Sequence, residues 1–455
     1  MAVSTRPLCT FAAVLLVYVV EALAADETNN TISGERVGWK EGPNTRGTLN
    51  IVWSCGITIF TCTWTIMHLN LPKRDDSTLK IFFRRLKWMS INILFPEFIL
   101  SKAICDLRQA LDELRQFDEN LPKSPQSRNQ NTASPPAPPA IRVLVHNSPR
   151  KWTVVHSYYA QMGGILTISA WNDPPWFDPD FILTSIRLTS QYEWADSSEH
   201  PLKHLRLSRE EIEDKSKADS MLKCLAIFQI MWLILNVTVR AATGLHVTQL
   251  EIATVAFATV AILTYLASWW KPKDVSEATG ILHPCGGHWK HEPDVVTLSQ
   301  WFRYPGSKDG LRFERRPQHR VPDDLIFEAS SMAFLLSISS LLFGGLHCVA
   351  WNFEFPSQAE LVAWRIGCAT IAVLPAIALA FTTLLASVFS SWHARYIYAV
   401  EQLDLHPARY ISTISYTFYP AARLLTIVLL FTSLRSLPAD VYQVDPWVNF
   451  LPKIS

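Results

Sequence analysis

Charge is scarce in this 455-residue chain and hardly unbalanced: 18% of residues are Asp, Glu, Lys or Arg, and 41 basic against 40 acidic side chains leave a formal charge of +1. A nucleic-acid binder needs a basic face to neutralise phosphates, and none is present, so nucleic acid is excluded as a partner. There is no Gly-rich phosphate loop, no Gly-x-Ser-x-Gly elbow and no His-Glu-x-x-His, so ATPases, serine hydrolases and zincins have no footing. No internal symmetry suggests the repeated halves of a transporter. Eight cysteines occur, but most stand inside apolar runs, where they pack as small residues, so no disulfide scaffold is expected.

What the chain has in quantity is apolar surface: 49% of its residues are hydrophobic. It reads as an all-α, polytopic membrane protein with sizeable polar loops, not as a soluble enzyme. The clearest stretch runs from 325 to 390, where two apolar runs are joined by a short turn containing Asn352, Glu354 and Pro356. Each run is long enough to cross a hydrocarbon core as a helix, which makes the pair a transmembrane hairpin.

The remaining segments follow from hydropathy and basic flanks. Residues 1–24 carry Arg6, an apolar core and Ala22-Leu23-Ala24, the pattern of a cleaved signal peptide. A lumenal segment over 25–47 then holds the sequon at Asn29, a glycosylation candidate. A first span covers 48–69, followed by a basic loop. The short run 88–104 holds Pro96, Glu97 and Lys102 and is read as re-entrant or interfacial, with a true crossing as the alternative. Residues 105–218 form a polar module with an amphipathic helix near 106–117 and a Pro- and Ser-rich linker over 120–140 that lacks any apolar period. A second hairpin spans 219–270, with Arg240 and Glu251 near its turn as an expected ion pair. A polar loop covers 271–324, and the three-helix region 325–455 closes the chain. The expected total is about six spans, or seven if 88–104 crosses, in the endoplasmic reticulum membrane.

Several blocks, among them GWKEGPNTRGTLNIVWSCGITIFTCTWTIMHLNLP, KWMSINILFPEFIL, LEIATVAFATVAILTYLASWWKPKDV and HCVAWNFEFPSQAELVAWR, resemble a large fungal family of multipass membrane proteins. The blocks stand in family order and cover most of the chain; the linker 120–140 and the His-rich loop 283–291 depart from the pattern. Some members look like parts of secondary-metabolite gene clusters, and the membrane-bound terpene cyclases of meroterpenoid pathways are similar in general character. The resemblance thus implies a lipid-soluble prenylated substrate, and it carries over no catalytic residue.

The residues themselves offer four candidates. A carboxyl at Glu97, beside Pro96 in an apolar segment, faces a large desolvation cost if ionised and so keeps a proton that an alkene can take; its structural alternative is a pair with Lys102 or another cation. Trp351, Phe353 and Phe355 beside Glu354 offer π-faces for a migrating carbocation, although Trp and Tyr also anchor ordinary membrane proteins at the headgroups. Asp178 and Asp180 form a spaced acid pair that can supply a proton or simply cap a turn. His283, Cys285, His288 and His291 are zinc-ligand types, but their spacing fits no standard finger and no second Cys pair frames them. Glu97, Glu354, Asp178 and Asp180 are therefore the acid candidates, with Trp351, Phe353 and Phe355 as pocket walls; no metal and no cofactor is assigned. A non-catalytic transporter, receptor or scaffold is the alternative function, and membrane lipids are the other expected partner.

Overall fold

Backbone N–H and C=O groups find no water in lipid, so the long apolar runs are obliged to be helical, and they are. The computed structural model describes residues 36–37, 46–73, 76–120, 152–169, 181–182, 207–216, 220–283, 295–297, 321–327, 329–400 and 407–443. In order they form β1 (Arg36–Val37), α1 (Thr48–Thr65), α2 (Thr78–Leu94), α3 (Pro96–Asn120), α4 (Val154–Gln161), β2 (Ile165–Ser169), β3 (Phe181–Ile182) and α5 (Arg209–Lys215). Then come α6 (Ser220–Ala242), α7 (Gln249–Ala267), β4 (Thr279–His283), β5 (Val295–Thr297), β6 (Leu325–Phe327), α8 (Ala329–Cys348), α9 (Gln358–Val400), α10 (Pro407–Thr432) and β7 (Leu437–Pro438). The expected signal peptide, Asn29, the linker from 121 to 140, Asp178, Asp180, Cys285, His288 and His291 lie outside the described residues. His283 ends β4.

The protein is predominantly α-helical, and among the described residues four helices are long and apolar enough to cross a membrane: Gln249–Ala267, Ser331–Cys348, Gln358–Leu384 and Thr417–Arg435. A fifth is added if α2 and the first part of α3, bent by 109°, count as one broken span. One segment read from sequence as a span, α1, falls short of that standard. α1 carries many threonines, whose hydroxyls at Thr58, Thr63 and Thr65 donate to the carbonyls of Ser54, Ile59 and Thr61 one turn back.

α7 is the hub. Of its span 72% is buried, against 22% for α9, so α7 is enclosed by protein while α9 presents Ile366, Ile377, Phe381 and Leu384 outward. Thr248 and Glu251 form a capping box at its start. Of the expected Arg240–Glu251 pair, the charge of Arg240 does act on Glu251, but Glu251 takes its hydrogen bond from Arg46, while Arg240 donates to the carbonyls of His246, Asp440, Val441 and Gln443. The reason is geometric, because the short β1–β7 pairing brings the segment before α1 and the segment after α10 to the same end of the bundle. Three small sheets, including a parallel β2–β4 ladder, accompany the helices.

α8, α9 and α10 pack side by side. Close approach of α8 to α9 depends on Gly344, where a Cβ would meet the backbone N and Cα of Ala372 at 2.5 and 2.6 Å. The adjacent Gly345 has nothing within 4 Å of such an atom. Gly344→Ala is expected to lower stability in detergent by about 1–3 kcal/mol through overpacking. Gly345→Ala should be neutral or stabilising by up to about 1 kcal/mol, since it only removes backbone freedom. Parallel thermal unfolding of the two variants checks this; equal behaviour would contradict the helix contact.

Candidate functional site

The run read from sequence as one re-entrant or interfacial piece is two helices meeting at Phe95 (φ −139°, ψ 60°). Pro96 explains the break: it lacks an N–H, fixes φ and disfavours a helical residue before it, while suiting the first turn of a new helix. α3 then continues past the apolar run into the amphipathic stretch as one helix to Asn120. Glu97 sits in the first turn of α3, 1% exposed.

Around it a polar cluster is closed by helices distant in sequence. Tyr419 on α10 donates its hydroxyl to Glu97 Oε1 at 2.5 Å, and the Phe95 ring stacks on Tyr419 at 6.1 Å. Glu97 Oε2 has no hydrogen-bond partner. One turn along α10, Arg423 is 1% exposed and donates to the carbonyls of Leu94 (2.8 Å) and Ile93 (3.1 Å), the C=O groups that the end of α2 leaves without helical partners. Its guanidinium lies 4.5 Å from the Phe343 ring centre and 5.7 Å from that of Phe257. Arg423 thus has two aromatic faces and two carbonyls in place of water.

Of the cations expected as alternative partners of Glu97, Lys102 points elsewhere and bonds Asp106, while the charge of Arg423 does act on Glu97.

The other described candidates are not gathered round this acid. Ser101 on α3 bonds Ser339 at 3.1 Å, which places the start of α3 beside the middle of α8. About 13.5 Å of helix separates that level from Cys348, and Trp351, Phe353, Glu354 and Phe355 lie beyond it. Trp351 is exposed and covered on one face by Arg365 at 5.4 Å. Glu354 is exposed and its carbonyl accepts from Gln249 at 2.7 Å. Phe353 packs half-buried against the core. Phe355 is buried and begins a column of rings, Phe355–Trp364 at 5.6 Å, Trp364–His347 at 6.0 Å and His347–Phe343 at 4.5 Å, that leads to Arg423. Among the described residues no group of three or more His, Cys, Asp or Glu is placed to hold a metal ion.

Sequence reasoning missed Tyr419 and Arg423. A signal for Arg423 was present: a lone cation inside an apolar run is costly in a membrane and implies a built environment.

A model for a family described as of unknown function (DUF8562) matches residues 14–292, a range that includes Glu97 and ends before Tyr419 and Arg423. No curated protein and no solved structure matches the chain. Since the family match covers more than half of the 455 residues, this polytopic helical membrane protein belongs to the DUF8562 family.

Proposed function

We propose that the protein is an integral membrane enzyme of the endoplasmic reticulum that cyclises the prenyl chain of a lipid-soluble meroterpenoid intermediate, with Glu97 as the proton donor. The observation that carries this reading is the buried carboxyl whose second oxygen has no partner, held on its other oxygen by Tyr419. In the step proposed, the Oε2–H bond breaks and its proton goes to the less substituted carbon of a terminal alkene. The tertiary cation left behind is captured by the π electrons of the next double bond, which passes the charge along the chain. The sequence ends when a phenolic oxygen adds and loses its proton, or an adjacent carbon loses one, to the Glu97 carboxylate, which restores the acid. Product and substrate are isomers, so no oxidant or cofactor is called for. Phe95, Tyr419, Phe257 and Phe343 supply π-faces near the cluster. Asp178, Asp180 and Glu354 are not given a part in this step.

A second reading rests on Arg423. Its bonds to Leu94 and Ile93 hold the broken α2–α3 corner, and a cluster built for that purpose would belong to a non-catalytic membrane protein. Microsomes carrying wild type or Glu97→Gln, incubated with a farnesylated phenol, separate the two. Cyclised product from wild type alone supports the enzyme, no product from either removes it, and equal product from both removes Glu97 as the acid.

A further inference from the structure

α3 carries a second set of buried charges on a different face from Glu97. Lys102 donates to both oxygens of Asp106 at 3.0 and 3.2 Å, and Lys271, just after α7, donates to Asp106 Oδ2 at 2.9 Å. The three side chains are only 13%, 6% and 7% exposed in the order Lys102, Asp106 and Lys271. Two ammonium groups therefore share one carboxylate. The neighbouring Asp323 also acts on Lys271, but it is held by Arg84 and takes the Asn70 N–H at 2.9 Å, so Lys102, Lys271 and Arg84 stand against Asp106 and Asp323 with one positive charge in surplus.

A surplus buried cation is expensive unless something anionic meets it. Burial, opposed by Asp106 and reinforced by Lys102, holds the Lys271 ammonium below the usual lysine range.

Between these groups lies a cavity of about 50 Å³, lined by Lys102, Lys271, Asp106, Asp323, Asn70 and Ser268 together with an apolar wall that includes Trp88. One water needs roughly 10–15 Å³ measured this way, so the space suits a few waters or the oxygens of one phosphate group. Lys271 has a single acceptor among the described residues and three N–H donors. The cavity also stands at a defined depth. Ser268 and Lys271 flank Trp269 and Trp270, which are 57% and 36% exposed at the end of the span, the arrangement of a headgroup-level aromatic belt.

We propose that this cavity binds a phosphate group, with Lys102 and Lys271 supplying charge-assisted donors and Asp106 holding the two ammonium groups in place. The chemistry is shared by a phospholipid headgroup and by free phosphate, and it stands apart from the step assigned to Glu97.

The full-length chain, purified in detergent, is tested for saturable retention of radiolabelled phosphatidic acid, with phosphatidylcholine as the control. Equilibrium dialysis with radiolabelled inorganic phosphate is the parallel arm. Retention of phosphatidic acid alone identifies a lipid headgroup, and saturable binding of inorganic phosphate identifies a soluble source; either supports the site. Lys102→Gln leaves Asp106 and Lys271 as a balanced pair and so keeps the fold, but should weaken binding about tenfold or more by removing one charge-assisted donor. Lys102→Arg should retain it. Absence of saturable binding in both arms, or a Lys102→Gln protein that binds as wild type does, would overturn the proposal.

Discussion

Glu97→Gln is expected to cut cyclised product by about a hundredfold or more relative to wild type, the range over which a positioned acid contributes to proton transfer. Gln keeps the size of Glu and still offers an oxygen to the Tyr419 hydroxyl, so the 2.5 Å contact has a counterpart in the variant. What Gln lacks is an acidic proton. Membrane insertion and thermal stability should therefore stay close to wild type while turnover falls, a split that a merely structural role would not give. Tyr419→Phe removes a hydrogen bond that orients the carboxyl and leaves the proton in place, so its loss should be smaller. A Tyr419→Phe protein as inactive as Glu97→Gln, yet folded, would shift the proton-donating role toward the tyrosine.

The second large effect concerns stability. Asp106→Asn should destabilise the purified chain by about 3–5 kcal/mol, as expected when a buried charge cluster loses one partner. Asn preserves shape and a carbonyl acceptor but no charge, which would leave Lys102 and Lys271 facing each other at side-chain exposures of 13% and 7%. Exposure decides the size of the effect. Arg115–Asp112 and Arg209–Glu213 are ion pairs too, but their side chains are 76% and 43%, and 53% and 51%, exposed, and each pair contributes at most about 1 kcal/mol. Thermal unfolding in detergent checks the contrast, and the double variant Asp106→Asn, Lys271→Met should recover much of the loss by removing the stranded cation. A single Asp106→Asn protein as stable as wild type would mean that the cluster is not closed to water.

A share of this architecture was legible without coordinates. Where apolar residues run unbroken, as over 249–267, 331–348 and 358–384, the backbone has only a helix available to it in lipid, and the sequence determines the outcome. The break at Pro96 has an equally local reason, but the run around it reads in sequence as one piece. The oddness of a carboxyl at Glu97 was visible as well, because the cost of burying a charge depends on what surrounds it in the run.

What only the tertiary structure decided is which group answers each buried charge. Tyr419 lies 322 residues from Glu97, and Arg46 lies 205 from the Glu251 that Arg240 was expected to hold. Asp106 is shared between Lys102, four residues away, and Lys271, 165 away. The two- to five-residue strands were equally hidden, since pieces such as β1 and β7 are too short to carry an alternating pattern and exist only because their partners arrive beside them. Desolvation is a local quantity and can be read from a run of residues. Compensation acts through space, and it is set by how the helices pack.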